Sequence, residues 1–282
     1  MTPPTSLRDP RAQQTHPFSA PRPALLLLLT TALVGCLPGC ADNGTAADRN
    51  TILVLAAAST ADALREAADV FERDTGVRVR ISSGPSNGLA QQILSGAPAD
   101  IHISAAERWM TALDDAGFVA ESRPFLSNRL VLAVPRGSPA ALRTPDDLSA
   151  DAVQRVALAG EDVPDGAYAE QALRSLGVFA SLQSKRRLVR GHDVRAVLSY
   201  VERGEVDAGI VYASDARASQ AVEVVHTFDP ATHDAIIYPV GLLKSGADRA
   251  AARRFFEFLD TPRAAEVFRR HGLTPIPGGG RG

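Results

Sequence analysis

Thr51-Ile52-Leu53-Val54-Leu55-Ala56-Ala57-Ala58-Ser59-Thr60 is the stretch on which the fold turns. Ile52 to Leu55 is a short unbroken apolar run, the pattern of a strand buried on both faces. Beyond it Ala63, Leu64, Ala67, Val70 and Phe71 fall at helical spacing, and Gly76 stops the helix. A buried strand leading directly into an amphipathic helix is half of a βαβ unit. The loop Ala56 to Thr60 therefore opens at the carboxyl edge of a sheet, where α/β folds hold their ligands.

The alternation continues along the chain. Val77 to Ile81 reads as a second strand, Leu89 to Leu94 as a short helix ending at Gly96, Asp100 to Ser104 as a third strand, and Arg108 to Ala116 as another helix. A second block repeats the pattern, with strands at 130–134, 156–158 and 208–212. Its helix faces are Ala169, Ala172, Leu173 and Leu176, then Val197, Leu198 and Val201. Ile236 to Leu243 is a strand running back, and Phe255, Phe256, Leu259, Ala265, Val267 and Phe268 belong to terminal helices. The class is α/β: two lobes, each a mixed, mostly parallel sheet flanked by helices, with a ligand cleft between them. No Gly/Ser linker separates the blocks, so the lobes share crossings near 127–131 and 232–238. Lobe I takes residues 51–129 and 236–282, and lobe II takes 130–235.

Upstream lies an address. A polar, proline-rich segment carrying Arg8, Arg11 and Arg22 precedes the apolar run from Ala24 to Val34. That run is shorter than the roughly 20 apolar residues of a membrane span, and a basic segment before a short apolar run is an export signal. It ends Leu33-Val34-Gly35-Cys36, which resembles a bacterial lipobox. Residues 1–35 then form a lipoprotein signal peptide, Cys36 is the acylated N-terminus, and 36–50 is a flexible tether. An ordinary signal peptide, use of Cys40 instead, and a Cys36–Cys40 disulfide are the alternatives. From residue 41 on there is no cysteine, which excludes a disulfide scaffold, a thiol nucleophile and a thiolate metal site from the folded part. Losing residues 1–35 removes three cations and one anion and moves the formal charge from −2 to −4. Such a balance gives no footprint for nucleic acid or an anionic membrane surface, so any anion must be held by local chemistry.

The strand-to-helix loops can supply it. Ser59 stands at a helix start, where backbone N–H groups are unpaired and the dipole favours negative charge, and three alanines before it open the backbone to a ligand. A plain N-cap role, accepting from the N–H of residue 61 or 62, competes with this. Ser82-Ser83-Gly84-Pro85-Ser86-Asn87-Gly88 is a second loop rich in hydroxyl and amide donors. Val163-Pro164-Asp165-Gly166 and Gly191-His192-Asp193-Val194 each precede a helix, and Asp193 is a natural N-cap that leaves the Val194 N–H at the helix start. Tyr212 ends a strand, from which a phenol either reaches a cleft or packs in the core. None of these loops carries lysine or arginine. The set suits a dehydrated anion whose hydration shell is replaced by neutral donors.

Five stretches occur together in one order: Leu55-Ala56-Ala57-Ala58-Ser59, Gly96-Ala97-Pro98-Ala99-Asp100-Ile101-His102-Ile103-Ser104, Val163-Pro164-Asp165-Gly166-Ala167-Tyr168-Ala169, Asp193-Val194-Arg195, and Gly209-Ile210-Val211-Tyr212-Ala213-Ser214-Asp215-Ala216. Through them the chain from about Asn50 to Pro275 resembles the periplasmic molybdate-binding proteins of ABC transporters, a branch of the class II periplasmic binding proteins. The resemblance implies a non-enzymatic, monomeric binding protein on the outer face of the cell membrane or in the periplasm. It would take molybdate or tungstate, with no cofactor and no direct metal ligand, and deliver the anion to an ABC permease. It also implies the ligand set: the hydroxyls of Ser59 and Ser86, the backbone amides of Asp165 and Val194, and the Tyr212 hydroxyl. Ser83 is the fallback for Ser86, and Asn87 could add an amide N–H. Asp165 departs from the pattern, since relatives commonly have alanine there. A carboxylate beside a dianion is repulsive unless it faces solvent or caps its own helix, so Asp165 is expected to point outward.

Other readings compete. A sulfate binder would use the same kind of site. A ferric-iron binder would need several tyrosines or carboxylates together, and of Tyr168, Tyr200, Tyr212 and Tyr238 only Tyr212 is clearly at a strand end. An organic-acid binder would use an arginine, for which Arg195 is the nearest candidate. A secreted hydrolase would pair Ser59 with His102, His192, His226, His233 or His271, but no Gly-x-Ser-x-Gly elbow surrounds Ser59. His102 lies in an apolar strand and reads as a core histidine, and no metal-spaced His/Cys cluster is present.

Overall fold

The computed structural model describes residues 50–138 and 142–277, so Cys36 and the export segment lie outside the described residues. Strand β1 (Thr51–Ala57) runs into a tight turn, Ala58–Thr60, and the helix Ala61–Thr75. That helix buries Ala63, Leu64, Ala67, Ala68, Val70 and Phe71, the face read from the apolar spacing. Gly76 ends it at φ 68°, a left-handed conformation that glycine adopts without a Cβ clash, and its N–H closes on the Glu72 carbonyl. Then follow β2 (Arg78–Gly84), the helix Ser86–Leu94, β3 (Ile101–Ile103), the helix Glu107–Asp115 and β4 (Val119–Ser127). The second block holds β5 (Leu130–Pro135), β6 (Val156–Ala159), the helix Pro164–Ser175, β7 (Leu188–Gly191), the helix Val194–Glu202, β8 (Ala208–Tyr212) and β9 (Val222–Thr227). After β10 (Ile237–Leu243), the helices Ala250–Phe258 and Pro262–Arg270 and the short β11 (Thr274–Pro275) close the fold.

These strands form two mixed sheets flanked by helices. One is six-stranded in the order β11-β4-β10-β3-β1-β2, the other five-stranded in the order β7-β6-β8-β5-β9. The chain passes from the first sheet to the second at Asn128-Arg129 and returns between Thr227 and Ile237. β1 is parallel to β2 and β3, and β6 is parallel to β7 and β8. β10 and β5, the strands entered after each crossing, run antiparallel to their neighbours. The sheets thus hold more antiparallel pairing than a simple βαβ repeat implies. Four strands stand outside the sequence reading, one of them the two-residue β11. β4 has an exposed half that includes Pro124, β7 is only partly buried until Gly191, and β9 is a sheet edge, exposed or half-buried throughout after Val222.

Register lines up the carboxyl ends. Ala57 pairs with Gly84 at the ends of β1 and β2, and Ala159 pairs with Gly191 at the ends of β6 and β7. The loops carrying Ser59, Ser86, Asp165 and Val194 therefore leave the sheets side by side. Asp100 is part of the scaffold: buried, it accepts the Leu53 N–H at 2.7 Å and pairs with Arg249 at 2.5 Å. Among the described residues no helix is long and apolar enough to cross a membrane.

Candidate anion site

The carboxyl ends of β1, β2, β6, β7 and β8 converge on one small cavity. Its wall includes Ser59, Ser86, Asp165, Val194 and Tyr212, all five residues named from the sequence. Ala57, Ala58, Gly84, Pro85, Ala105, Val163, Pro164 and Asp193 complete it, and no lysine or arginine lines it. The volume is about 20 Å³ on the scale where one water needs about 10–15 Å³. For a roughly spherical space that corresponds to walls about 3 Å from the centre, the size of one atom carrying four oxygens.

Each donor has a local cause. Ser86 is the first residue of its helix, buried, and its Oγ accepts the Ala105 N–H at 2.9 Å. A hydroxyl that accepts there still has its own proton to give. Ser83 is exposed and absent from the wall, so the geometry favours Ser86 of the two serines. Asp193 caps its helix by accepting the Ala196 N–H at 2.9 Å, which leaves Val194 as the first residue with a free-facing amide. Pro164 begins the helix that carries Asp165, as proline suits a first helical position. Tyr212 is 1% exposed and its hydroxyl has no partner in the protein. Buried polar groups are normally hydrogen-bonded, so this orphan hydroxyl on the cavity wall is available to a bound group.

Ser59 is not a helix cap: no side-chain cap bond forms at either end of the Ala58–Thr60 turn. Its Oγ lies 3.0 Å from the Tyr238 hydroxyl instead. Asn128 favours Tyr238 as the donor in this contact, since a buried phenol that donated nowhere would leave its proton unpaired. The Arg129 N–H donates to Asn128 Oδ1 at 2.9 Å, so the amide presents Nδ2 to Tyr238 at 3.2 Å and to the Ser214 hydroxyl at 2.8 Å. With Tyr238 accepting from Asn128, its own proton is satisfied by going to Ser59. Ser59 then keeps its proton for the cavity, and the chain Asn128 to Tyr238 to Ser59 polarises each donor in turn. Sequence reasoning missed Tyr238 and Asn128. The available signal was position: both sit where the chain crosses between sheets, a setting in which a polar side chain is buried between two loops.

Burial holds Tyr212 and Tyr238 well above the ordinary tyrosine range, with nearby carboxyls adding to it. Without a bound cation both phenols are therefore neutral and able to donate. Among the described residues no group of three or more His, Cys, Asp or Glu could hold a metal ion. Arg195 is committed elsewhere, donating to Asp62 at 2.8 Å and standing 2.8 Å from the buried Asp215. It joins the helix after β1 to the segment after β8, and it is not free for a substrate carboxylate. His102 is fully buried, with Nδ1 on the Leu55 carbonyl oxygen at 2.9 Å, and burial pulls its pKa down to about 4. It is a neutral core histidine bonded to the Leu55 carbonyl rather than to Ser59, whose Oγ contacts Tyr238.

Asp165 overturns one expectation. It does not face solvent: it is 1% exposed, on the cavity wall, and neither carboxyl oxygen has a hydrogen-bond partner. Burial first, then the Asp215 and Asp193 carboxylates, raise its pKa well above the usual carboxylate range. A Cβ at Gly166 would lie 2.2 Å from the Gly160 carbonyl oxygen, so the helix start is pressed against the end of β6.

The family model described as bacterial extracellular solute-binding protein matches residues 52–274. The molybdate-binding protein ModA of Escherichia coli (strain K12) is 40% identical over 240 residues, 81% of this chain and 90% of that protein. YvgL of Bacillus subtilis (strain 168), named as a candidate ABC transporter substrate-binding lipoprotein, is 37% identical over 243 residues, 84% of this chain and 92% of that protein. Among solved structures, the periplasmic molybdate-binding protein of Azotobacter vinelandii superposes with a TM-score of 0.72 at 25% identity, covering 79% of this chain and 98% of that one. These relatives are binding proteins rather than enzymes. The chain belongs to the family of bacterial extracellular solute-binding proteins, in the branch that contains these molybdate-binding proteins.

Proposed function

We propose that the protein captures molybdate, with tungstate as a second ligand, outside the cytoplasm and passes it to an ABC importer. The observation that carries this is the cavity itself: Ser59, Ser86, Asp165, Val194 and Tyr212 on the wall of a space the size of one tetrahedral oxyanion, with no cation among the lining residues. A dianion so placed is stabilised by hydrogen bonds alone, replacing the hydration it loses. A donor set spaced for a large oxyanion holds a smaller one at longer, weaker distances, which disfavours sulfate. Donors come from both sheets, so the anion favours the closed arrangement of the two lobes, the state a permease would read. The anchor is Cys36, acylated after removal of residues 1–35, and the protein acts as a monomer.

Thermal unfolding of the exported chain with each oxyanion tests the ligand class. Ligand at about a thousand times its Kd stabilises by about 4 kcal/mol. Molybdate and tungstate are expected to raise Tm by several degrees, with sulfate and phosphate leaving it unchanged. A rise with sulfate or phosphate and none with molybdate would refute the assignment. Mass spectrometry of membrane-extracted protein tests the anchor: a diacylated Cys36 terminus is expected, and an unmodified terminus elsewhere would contradict it.

A further inference from the structure

Asp165 is a buried acid in a site that ought to exclude one. Its two carboxyl oxygens have no partner in the protein, its side chain is on the cavity wall, and the helix start that carries it is locked against β6. Asp193 and Asp215 act on its charge, the Tyr212 and Tyr238 phenols feel it, and Arg195 lies on an adjoining element. Asp193 and Arg195 come from the start of the helix Val194–Glu202, Tyr212 and Asp215 from the end of β8 and beyond, and Tyr238 from β10. Tyr168 lies on its own helix; in the adjoining loops Glu161, Asp162, Asp229 and Asp234 are exposed and His233 is half-buried. The charges acting on it most directly, Asp215 and Asp193, are both anionic, while Arg195 is held by Asp62 and Asp215.

An ionised Asp165 beside a dianion would place three negative charges in one small cavity. A neutral carboxylic acid there is instead an O–H donor aimed at the ligand, like the serines and Tyr212. We propose that the Asp165 carboxyl is a further ligand group of this site, entering as the neutral acid and donating to an oxygen of a fully deprotonated oxyanion. This rests on the oxyanion reading of the cavity. No covalent bond to the anion forms. Where Asp165 is ionised in the free protein, binding takes one proton from solvent, and that proton stays as the Asp165 O–H.

The consequence is proton-linked capture. Affinity is flat at pH below the free protein's Asp165 pKa and falls above it by up to about tenfold per pH unit. Calorimetric titration with molybdate from about pH 6 to pH 10 reads this directly. Wild type is expected to weaken on the alkaline limb, with proton uptake approaching one per anion there. Asp165→Asn, which keeps a neutral donor, and Asp165→Ala, which removes the acid, are expected to bind with flat profiles and no linked proton. On the alkaline limb Asp165→Asn should bind more tightly than wild type. Superimposable pH profiles for the three proteins would overturn the inference and leave the oxyanion site standing. Tight hydrogen phosphate binding without proton uptake would also overturn it, because the carboxylate would then be accepting the ligand's own proton. No molybdate binding by any of the three at any pH would overturn both this inference and the reading it rests on.

Discussion

Tyr238→Phe isolates the donor chain behind Ser59. The change removes one hydroxyl and keeps the ring, which packs edge-on against Tyr212 at 5.8 Å. Two contacts disappear, at 3.0 Å to Ser59 and 3.2 Å to Asn128, while Asn128 keeps Ser214. At about 1 kcal/mol per neutral hydrogen bond, the folded protein should lose about 1–2 kcal/mol. Binding should suffer separately, because Ser59 loses the partner that turns its proton toward the cavity. That loss is about 1 kcal/mol, roughly fivefold in Kd, against about 1.5–3 kcal/mol for Ser59→Ala, which deletes a hydrogen bond to a charged ligand. Calorimetric titration of wild type, both single variants and the double variant closes a thermodynamic cycle. The two changes should couple by about 1 kcal/mol, with Tyr238→Phe costing little once Ser59 is gone. Equal cost of Tyr238→Phe in both backgrounds would refute the chain.

Other outcomes follow from the same geometry. Asp165→Ala should raise the stability of the ligand-free protein at about pH 8 by about 1–3 kcal/mol, since it removes a buried acid with no partner; urea unfolding checks this. Arg195→Met strands Asp215, whose pKa burial pushes up to about 7 against the pull of Arg195. Because a raised acid pKa favours the folded state at low pH and is lost as pH rises from about 4 through about 7, the cost should be larger at pH 8 than at pH 5; similar urea midpoint losses at both would contradict it. Ser86→Ala should weaken molybdate by about 1.5–3 kcal/mol in titration, while Ser83→Ala, at an exposed position, should leave it unchanged.

The sequence made the first half of each unit legible for a physical reason. Buried parallel strands such as Ile52 to Leu55 and Gly209 to Tyr212 are apolar runs, and the loops after them announce themselves through alanine, serine and glycine. β4 and β9 were not legible, because an edge or crossing strand is half solvated and its pattern dissolves among polar residues. The site divides in the same way. Ser59, Ser86, Val194 and Tyr212 stand at strand or helix ends, which periodicity locates. Tyr238 and Asn128 act through contacts 179 and 110 residues apart in sequence, the first to Ser59 and the second between themselves, and no local pattern encodes those. Asp165 was legible as a position and misleading as a charge. Electrostatics alone argues that a carboxylate should avoid an anion, but Asp165 is buried on the cavity wall with both carboxyl oxygens unpartnered, and protonation is one way to satisfy it.

The most direct test of the central claim is calorimetric titration of the exported chain with molybdate and with sulfate at neutral pH. Saturable binding of one molybdate per chain, at least about tenfold tighter than sulfate, is predicted. Tight sulfate binding with no heat from molybdate would contradict the account.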